Sequence, residues 1–270
     1  MKKLAVLGPK GTYSDKAALK LEETYQIEYF PNILEVIHHM DDETDALVPF
    51  ENTLDGFVME SLDGIIKTKA SIHYQVKLDV NFNFASYEEK IEEIKEVYVQ
   101  FKAYGQCQDF ILKHNLIPII TQSNIESLEL LKKKERKNIG AILPSHIPLE
   151  EFPCVYRSII GEIKDETRFV LLSKEAPQIH KGSNLSCSVV ITPKLDQPGV
   201  LYSILKSFND HGINLSAILS RPRKDIMGKY IFYIEFVLNQ KDLASLEALQ
   251  LEIEEKEECD FHILGYYNLL

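Results

Sequence analysis

The chain has 270 residues, of which 45% are hydrophobic and 26% are charged, and its formal net charge is −11. This length allows two domains that each bury a core, and the composition is that of a globular protein. An acidic chain lacks the basic face that nucleic acids require, so no nucleic-acid partner is expected. No apolar run reaches the roughly 18 residues of a membrane span, and residues 1–8 lack a full signal-peptide core. We therefore expect no membrane partner and a cytoplasmic location.

The cysteines and glycines give no sign of a metal or a cofactor. The four cysteines are scattered, without a CxxC pair or metal-site spacing, at Cys107, Cys154, Cys187 and Cys259. We expect reduced, buried thiols. The sequence contains neither a dinucleotide-binding fingerprint nor a P-loop, so no cofactor is expected.

Strand and helix patterns alternate along the first 50 residues. Lys3–Leu7 is a short apolar strand, and the turn Gly8–Thr12 leads into a helix that begins near Ser14. Two glycines let the backbone of this turn approach a ligand, although a tight strand-to-helix turn is the simpler interpretation. A strand at Ile27–Phe30 and a helix at 33–40, capped by Asn32, follow.

A buried strand at 45–49 then delivers three polar residues into a loop, namely Glu51, Asn52 and Thr53. Polar side chains at the end of a strand are typical of a ligand site, and they are equally typical of a helix cap.

The period-two pattern at 71–84 predicts an extended strand that crosses into a second lobe. That lobe repeats the alternation, with strands at 97–99, 117–120 and 139–143 and helices at 103–113 and 124–133. Gln106 lies early in the first helix, and Ser123 is the N-cap of the second; each could be purely structural. The chain is predicted to return to the first sheet at Thr167–Leu172. Two lobes joined by two crossings form a cleft, which is a favoured ligand site.

The segment Ile163–Phe169 begins as a polar turn and continues into this returning strand. Thr167 and Arg168 are therefore side by side at a strand end, where ligands bind in open α/β sheets. Arg168 could hold a carboxylate through two hydrogen bonds, and Thr167 could donate a third. A solvated turn is the structural alternative.

Residues 175–183 form a polar linker, and the pattern changes beyond it. Strands are predicted at 185–192, 215–221, 229–238 and 261–264, with helices at 198–210 and 243–255. The order βαββαβ is that of the ferredoxin-like unit.

Six motifs in this order resemble those of the prephenate dehydratase family with a C-terminal ACT regulatory domain. Gly8-Pro9-Lys10-Gly11-Thr12-Tyr13-Ser14 resembles GPxGTFS, Val48-Pro49-Phe50-Glu51-Asn52-Thr53 resembles VPIENS, Gln106-Cys107 matches QC, Thr167-Arg168-Phe169 matches TRF, Gly199-Val200-Leu201 resembles GAL, and Leu219-Ser220-Arg221-Pro222 resembles ESRP. The resemblance implies a two-lobed, periplasmic-binding-protein-like catalytic domain at 1–180. Lobe 1 would comprise about 1–78 and 161–180, lobe 2 about 79–160, and the ACT domain 185–270.

Several departures mark a divergent member. The family's SH pair is absent near Val99 and Gln100, Gln75 stands where Glu is common, and Asn124 stands where Thr is usual. Asp165-Glu166 is one residue shorter than the family's DNx before TRF. Leu219 replaces the Glu of ESRP.

The activity implied by the resemblance is conversion of prephenate to phenylpyruvate, with loss of carbon dioxide and water, in phenylalanine biosynthesis. It needs neither a cofactor nor a metal. Thr167 would hydrogen-bond the departing hydroxyl, with Asn52 and Gln106 as further catalytic residues. The implied substrate-binding residues are Thr12, Glu51, Thr53, Ser123, Arg168 and Phe169. A dianionic substrate would repel an ionised Glu51, which is then turned away or protonated.

Phenylalanine would be an allosteric effector, and ACT pairing would give a homodimer or a dimer of dimers. The implied effector-binding residues are Gly199, Val200, Leu201, Asn214, Leu215, Leu219, Ser220, Arg221 and Pro222. Leu219 either faces this ligand or simply packs the sheet. Two other functions stay open: an arogenate dehydratase, and a non-catalytic, two-lobed amino-acid sensor.

Overall fold

The computed structural model describes residues 1–134, 136–161, 164–179, 185–195, 197–223, 229–238 and 243–269. Ile163, Gly182 and the predicted boundary at residue 180 lie outside these ranges. The strands are β1 Lys2–Leu7, β2 Tyr25–Phe30, β3 Thr44–Asn52, β4 Gly56–Phe57, β5 Ser71–Val80, β6 Phe82–Ser86, β7 Glu96–Gln100, β8 Ile117–Thr121, β9 Ile139–Pro144, β10 Cys154–Tyr156, β11 Asp165–Ser173, β12 Leu185–Pro193, β13 Leu215–Pro222, β14 Tyr230–Leu238 and β15 Cys259–Leu269. The α-helices are α1 Tyr13–Ala18, α2 Ile33–His38, α3 Met59–Thr68, α4 Phe101–Gln106, α5 Gln108–Lys113, α6 Asn124–Lys133, α7 Val200–Asp210 and α8 Leu243–Glu255.

The first lobe, residues 1–80 and 164–179, is built on a mixed sheet. β1 pairs in parallel with β2 and β3, and β11 pairs antiparallel with both β3 and β5. Its central strands are apolar on both faces because helices or the C-terminal domain cover them, as in buried sheets generally. The return of the chain into this sheet through β11 confirms the prediction.

The second lobe, residues 82–161, contains a five-stranded sheet in the order β10-β6-β9-β7-β8, flanked by α4, α5 and α6. The chain enters it at Asn81 and leaves it after β10, so the two predicted crossings are present. Both lobes meet near these crossings. The hydroxyl of Tyr13 donates to the carbonyl of Asn81 and accepts from its N–H, and a ring nitrogen of His146 lies 2.9 Å from the carbonyl of Gly11.

The C-terminal domain has the predicted βαββαβ order, β12-α7-β13-β14-α8-β15. α7 and α8 pack on one face of its sheet, where Ile204, Phe208, Leu249 and their neighbours form a core. The sheet order is β13-β14-β12-β15, and β15 continues into lobe 1 by pairing in parallel with β5 at Tyr74 and Gln75. The two domains therefore share one sheet within the described chain.

The structure adds one helix that the sequence patterns do not suggest and divides another. α3 was not predicted because Gly64 lowers the helical propensity of its segment. A Cβ at Gly64 would lie 2.4 Å from Cδ1 of Ile37, so this glycine lets the side chain of Ile37 on α2 pack closely against α3. The predicted helix 103–113 is divided at Cys107, which caps α4 with non-helical dihedrals. All four cysteines are buried free thiols, as predicted. Among the described helices none has the length and apolarity to span a membrane.

Candidate active site

A cavity of about 300 Å³ lies between the two lobes. Lobe 1 contributes the β1–α1 turn, the ends of β3 and β11 and the loop after β3, whereas lobe 2 contributes α4 and the start of α6. Its polar and aromatic lining includes Thr12, Tyr13, Ser14, Asn52, Asp55, Phe82, Gln100, Lys102, Gln106, Gln122, Ser123, Asn124, Thr167 and Phe169. The cleft thus contains six of the nine residues predicted for catalysis or substrate binding: Thr12, Asn52, Gln106, Ser123, Thr167 and Phe169.

Asn52 and Thr167 form the hydrogen-bonded base of this cleft. They are opposite one another in the antiparallel pair of β3 and β11. Nδ2 of Asn52 donates to Oγ1 of Thr167 at 3.0 Å and to Oδ1 of Asp165 at 2.6 Å. Oδ1 of Asn52 accepts from the N–H groups of Leu54 and Asp55, both at 3.0 Å. Because every donor and acceptor direction of the amide is engaged, Thr167 accepts from Asn52 and keeps its own proton available to a ligand.

Asp165 was not among the predicted site residues, although it supports them. Its side chain is buried, with 2% of its surface exposed. Burial raises the pKa of the Asp165 carboxyl, the charge of Asp55 raises it further, and hydrogen bonds from Asn52 and Gln106 oppose this rise. Asp165 thereby holds the amide of Asn52 through Oδ1, whereas its Oδ2 is buried without a hydrogen-bond partner in the described chain. Its position two residues before Thr167, on the same strand face, is the sequence signal that could have identified it.

The hydroxyls of Thr12 and Ser123 border the cleft as helix N-caps. Thr12 accepts from the N–H of Asp15 and donates to the carbonyl of Pro9, and Ser123 accepts from the N–H of Glu126 at 3.0 Å. Such caps satisfy helix N–H groups that lack an intrahelical partner. Ser123 is therefore the predicted N-cap, and both hydroxyls are held in fixed positions beside the cavity.

Arg168 and Glu51 do not line the cleft, which corrects their predicted contact with substrate. They lie opposite one another on β11 and β3, each one residue from a cleft residue, and a strand alternates its side chains between faces. Arg168 pairs with Glu51 at 2.8 Å and with Glu235 of the C-terminal domain at 2.7 and 3.0 Å. Burial lowers the pKa of the Arg168 guanidinium. The hydrogen bond to Glu235 and the neighbouring charges together outweigh burial, so the pKa is raised.

Thr53 is likewise outside the cleft. Its hydroxyl donates to the carbonyl of Glu166 and accepts from the N–H of Glu166, both at 3.1 Å. These bonds join the loop after β3 to the start of β11. Thr53 was predicted to bind substrate, but it lies outside the cleft and holds the loop in place.

Lys102 and Asp55 are cleft residues that sequence reasoning missed. They are the charged side chains among the described residues that line the cavity. Lys102 stands in the first turn of α4, four residues before Gln106, and i, i+4 neighbours share a helix face. That spacing was the available signal.

The predicted effector-binding residues divide between the two faces of the C-terminal sheet. Gly199 precedes α7 with φ of 95°, and Val200, Leu201 and Leu215 pack against the helix-side core. Asn214 and Ser220 are exposed, and Pro222 ends β13.

Leu219 and Arg221 instead face lobe 1, which corrects the expectation that they join the other effector-binding residues. Leu219 packs against the lobe 1 core, whereas Arg221 pairs with Asp63 of α3 at 2.9 and 2.7 Å. Leu219 was predicted either to face the ligand or to pack the sheet, and its position agrees with packing.

Fold and site define a two-lobed α/β domain with a cleft of hydroxyl and amide groups, joined to a βαββαβ domain. The family model for prephenate dehydratase matches residues 4–177. A prephenate dehydratase of Methanocaldococcus jannaschii is 31% identical over 96% of this chain and 95% of its own length. The chain belongs to the prephenate dehydratase family.

Two solved structures share this fold. The prephenate dehydratase of Staphylococcus aureus is 27% identical, with a TM-score of 0.81 over 99% of this chain and 100% of its own. That of Arthrobacter aurescens, in complex with L-Phe, is 26% identical, with a TM-score of 0.78 over 98% of this chain and 89% of its own.

Proposed function

We propose that this protein is a prephenate dehydratase, which converts prephenate to phenylpyruvate, carbon dioxide and water in the biosynthesis of L-phenylalanine. The observation that carries the proposal is the pair of Asn52 and Thr167 at the base of the cleft. Asn52 donates to the oxygen of Thr167, so the hydroxyl proton is directed to whatever occupies the cavity.

This arrangement suits the loss of a hydroxide ion. The bond between the ring and its carboxylate breaks, its electron pair moves into the ring, and the bond to the hydroxyl at the opposite ring carbon breaks. The departing hydroxide takes one proton from the medium and leaves as water, so the dianion and one proton give a monoanion, CO₂ and water. An aliphatic hydroxyl is too weak an acid to supply this proton outright. Thr167 would instead donate a hydrogen bond that strengthens as charge develops on the departing oxygen.

The other cleft residues would position the ring. Gln106 reaches the site from lobe 2, and its Oε1 is buried without a hydrogen-bond partner in the described chain. A buried amide oxygen of this kind is available to a ligand hydroxyl. Thr12 and Ser123 border the cavity from opposite lobes, and Phe169 supplies an apolar wall for the ring.

A turnover assay tests the proposal. Purified protein is incubated separately with prephenate and with arogenate, and the formation of phenylpyruvate and of phenylalanine is measured. We expect phenylpyruvate from prephenate and little phenylalanine from arogenate. Preferential conversion of arogenate would identify an arogenate dehydratase. Binding of either compound without turnover would contradict an enzymatic role and favour a sensor of the same shape.

L-phenylalanine would regulate the enzyme by feedback through the C-terminal domain, which we assign as an ACT domain at 185–270, after a catalytic domain at 1–180. β13 is the end strand of the shared sheet, and Ile218 on it is 41% exposed. Unpaired edge strands are templates for pairing with another chain. We propose a homodimer, or a dimer of dimers, through this edge, with phenylalanine at the interface near Gly199–Leu201 and Asn214–Leu215.

The assembly is tested by light scattering after gel filtration, with and without phenylalanine. A mass of one chain under both conditions would contradict the paired edge. A cytoplasmic location stays a prediction, which the four buried free thiols support.

A further inference from the structure

Prephenate carries two carboxylates, and a cationic partner in the cleft would strengthen the binding of such a dianion. The predicted partner, Arg168, cannot fill this role. It is 7% exposed, faces away from the cavity, and is engaged by Glu235 and Glu51. The substrate's negative charge therefore needs another residue.

Lys102 is the cation that the described lining provides. Its ammonium group makes no ion pair with any residue of the described chain, whereas lysines elsewhere, such as Lys132 and Lys206, pair with carboxylates. Its backbone is fixed because Oε1 of Gln100 accepts from the N–H groups of Lys102 and Ala103 at 2.8 and 3.3 Å. A compact, unpaired charge on a held helical turn is suited to a carboxylate ligand.

Lys102 also lies at the outer end of the cavity. Lys102 is exposed and also lines the two neighbouring surface depressions, whereas Thr167 is partly buried where β11 pairs with β3. Thr167 therefore lies at the base of the cleft, and Lys102 lies at its mouth. In prephenate the hydroxyl and the two carboxylate-bearing groups are attached to opposite ring carbons. A hydroxyl at Thr167 would place both carboxylates toward the mouth.

The chemistry decides which carboxylate the lysine should hold. The ring carboxylate leaves as neutral CO₂, so a cation bound to it would stabilise the ground state more than the transition state and would slow the reaction. The carboxylate of the pyruvyl side chain keeps its charge throughout. We infer that Lys102 binds this side-chain carboxylate, which is common to prephenate and to the product phenylpyruvate; the inference rests on the proposed function.

The test compares Lys102→Met and Lys102→Arg with the control Lys133→Met. Lys133 is an exposed lysine of the same lobe and does not line the cleft. Loss of a charge-assisted hydrogen bond at an exposed site should raise KM for prephenate about 10-fold. Because the contact is the same in ground and transition states, kcat should stay within about 2-fold. The inhibition constant of phenylpyruvate should rise by the same factor as KM. Lys102→Arg should retain most of the affinity, and Lys133→Met should match the wild type.

Three results would overturn the inference. A higher KM with an unchanged inhibition constant for phenylpyruvate would place Lys102 on the ring carboxylate. Unchanged KM in Lys102→Met would remove it from substrate binding, and a large fall in kcat alone would assign it to the transition state. Each of these three results requires a wild type that converts prephenate. If the proposed function itself were wrong, the wild type would leave prephenate unconverted, so the two failures are distinguishable.

Discussion

Arg168 of lobe 1 and Glu235 of the C-terminal domain form a buried ion pair directly behind the candidate active site. Nη1 and Nη2 of Arg168 donate to the two carboxylate oxygens of Glu235, at 2.7 and 3.0 Å. The hydroxyls of Tyr233 and Tyr267 donate to the same carboxylate, at 2.7 and 3.0 Å. Since Arg168 follows Thr167 on β11, the C-terminal domain covers the back of the strand that presents the site hydroxyl.

Removing Glu235 should destabilise the whole protein. Glu235→Gln leaves the guanidinium of Arg168 buried with Glu51 as its remaining carboxylate, and breaking a buried pair costs about 3 kcal/mol or more. Urea unfolding measures the change. The matched control is Arg221→Gln, which breaks the more exposed pair with Asp63 and should cost about 1 kcal/mol or less. Equal effects of the two substitutions would contradict a special role for the buried pair.

Thr167→Ala should lower kcat about 10²- to 10³-fold, the usual loss for one donor to a developing charge. Thr167→Ser keeps the hydroxyl and should retain most activity. Thr53→Ala is the control, because Thr53 is close in sequence to Asn52 but bonds only to Glu166 in the described structure. Steady-state turnover of prephenate measures all three. Activity of Thr167→Ala within a few-fold of the wild type would refute the central assignment.

Period-two and helical patterns predicted most of the strands along the chain, the two crossings and the βαββαβ unit, because burial imposes those periods directly. The cleft residues Asn52 and Thr167 were also predicted. The predicted role of Arg168 was wrong, because adjacent residues of a strand face opposite sides and a chemical motif does not reveal which side is the cleft. The partner that engages it, Glu235, is distant in sequence, so no local pattern could indicate that the charge was already neutralised.

Asp165→Asn should stabilise the protein at neutral pH. The pKa of Asp165 is raised in the folded state, so its contribution to stability is full below the ordinary value of about 4 and is lost as the pH rises through the raised value. Asn cannot ionise and avoids this loss, while its oxygen can still accept from Asn52. The melting temperature of the variant should exceed that of the wild type by a margin that grows as the pH rises above 4. In free energy of unfolding, the full gain is about 1.4 kcal/mol per unit of pKa shift.

The control for this pH series is Asp79→Asn, an exposed carboxylate on the neighbouring strand β5. Its melting temperature should follow the wild type across the range from pH 4 to pH 8. The opposite result would be that Asp165→Asn loses stability relative to the wild type as the pH rises from 4 to 7. That result would show that the folded protein favours the ionised carboxylate.

Leu219→Glu should lower stability without strengthening the response to phenylalanine. The side chain packs half-buried against the lobe 1 core, and placing a charge there costs about 1–3 kcal/mol. Ala248→Glu, on the exposed face of α8 and away from the β13 edge, should be nearly neutral. Thermal unfolding and phenylalanine titration are measured together. Tighter inhibition at unchanged stability would restore Leu219 as a ligand-facing residue.

A chain that ends near Gly182 should be unstable, although the polar linker predicted at 175–183 separates the two domains in sequence. Such a chain loses the strand that pairs with β5 and exposes Phe50 and Phe57, whose rings pack 5.9 and 5.6 Å from that of Tyr233. It also leaves Arg168 with Glu51 as its remaining carboxylate partner. Solubility and circular dichroism measure the outcome. A soluble, active fragment would mean that the C-terminal domain is only a regulator.

The pairing of β15 with β5 has a consequence for how the protein is made. Asn268 and Leu269 pair with Tyr74 and Gln75, so β5 has to wait for residues that are translated well after it. Contacts between residues so far apart in sequence form slowly, and an uncovered strand edge is prone to aggregation in the meantime. Production in the cell should therefore depend more on chaperones and on lower temperature than the stability of the finished protein would suggest.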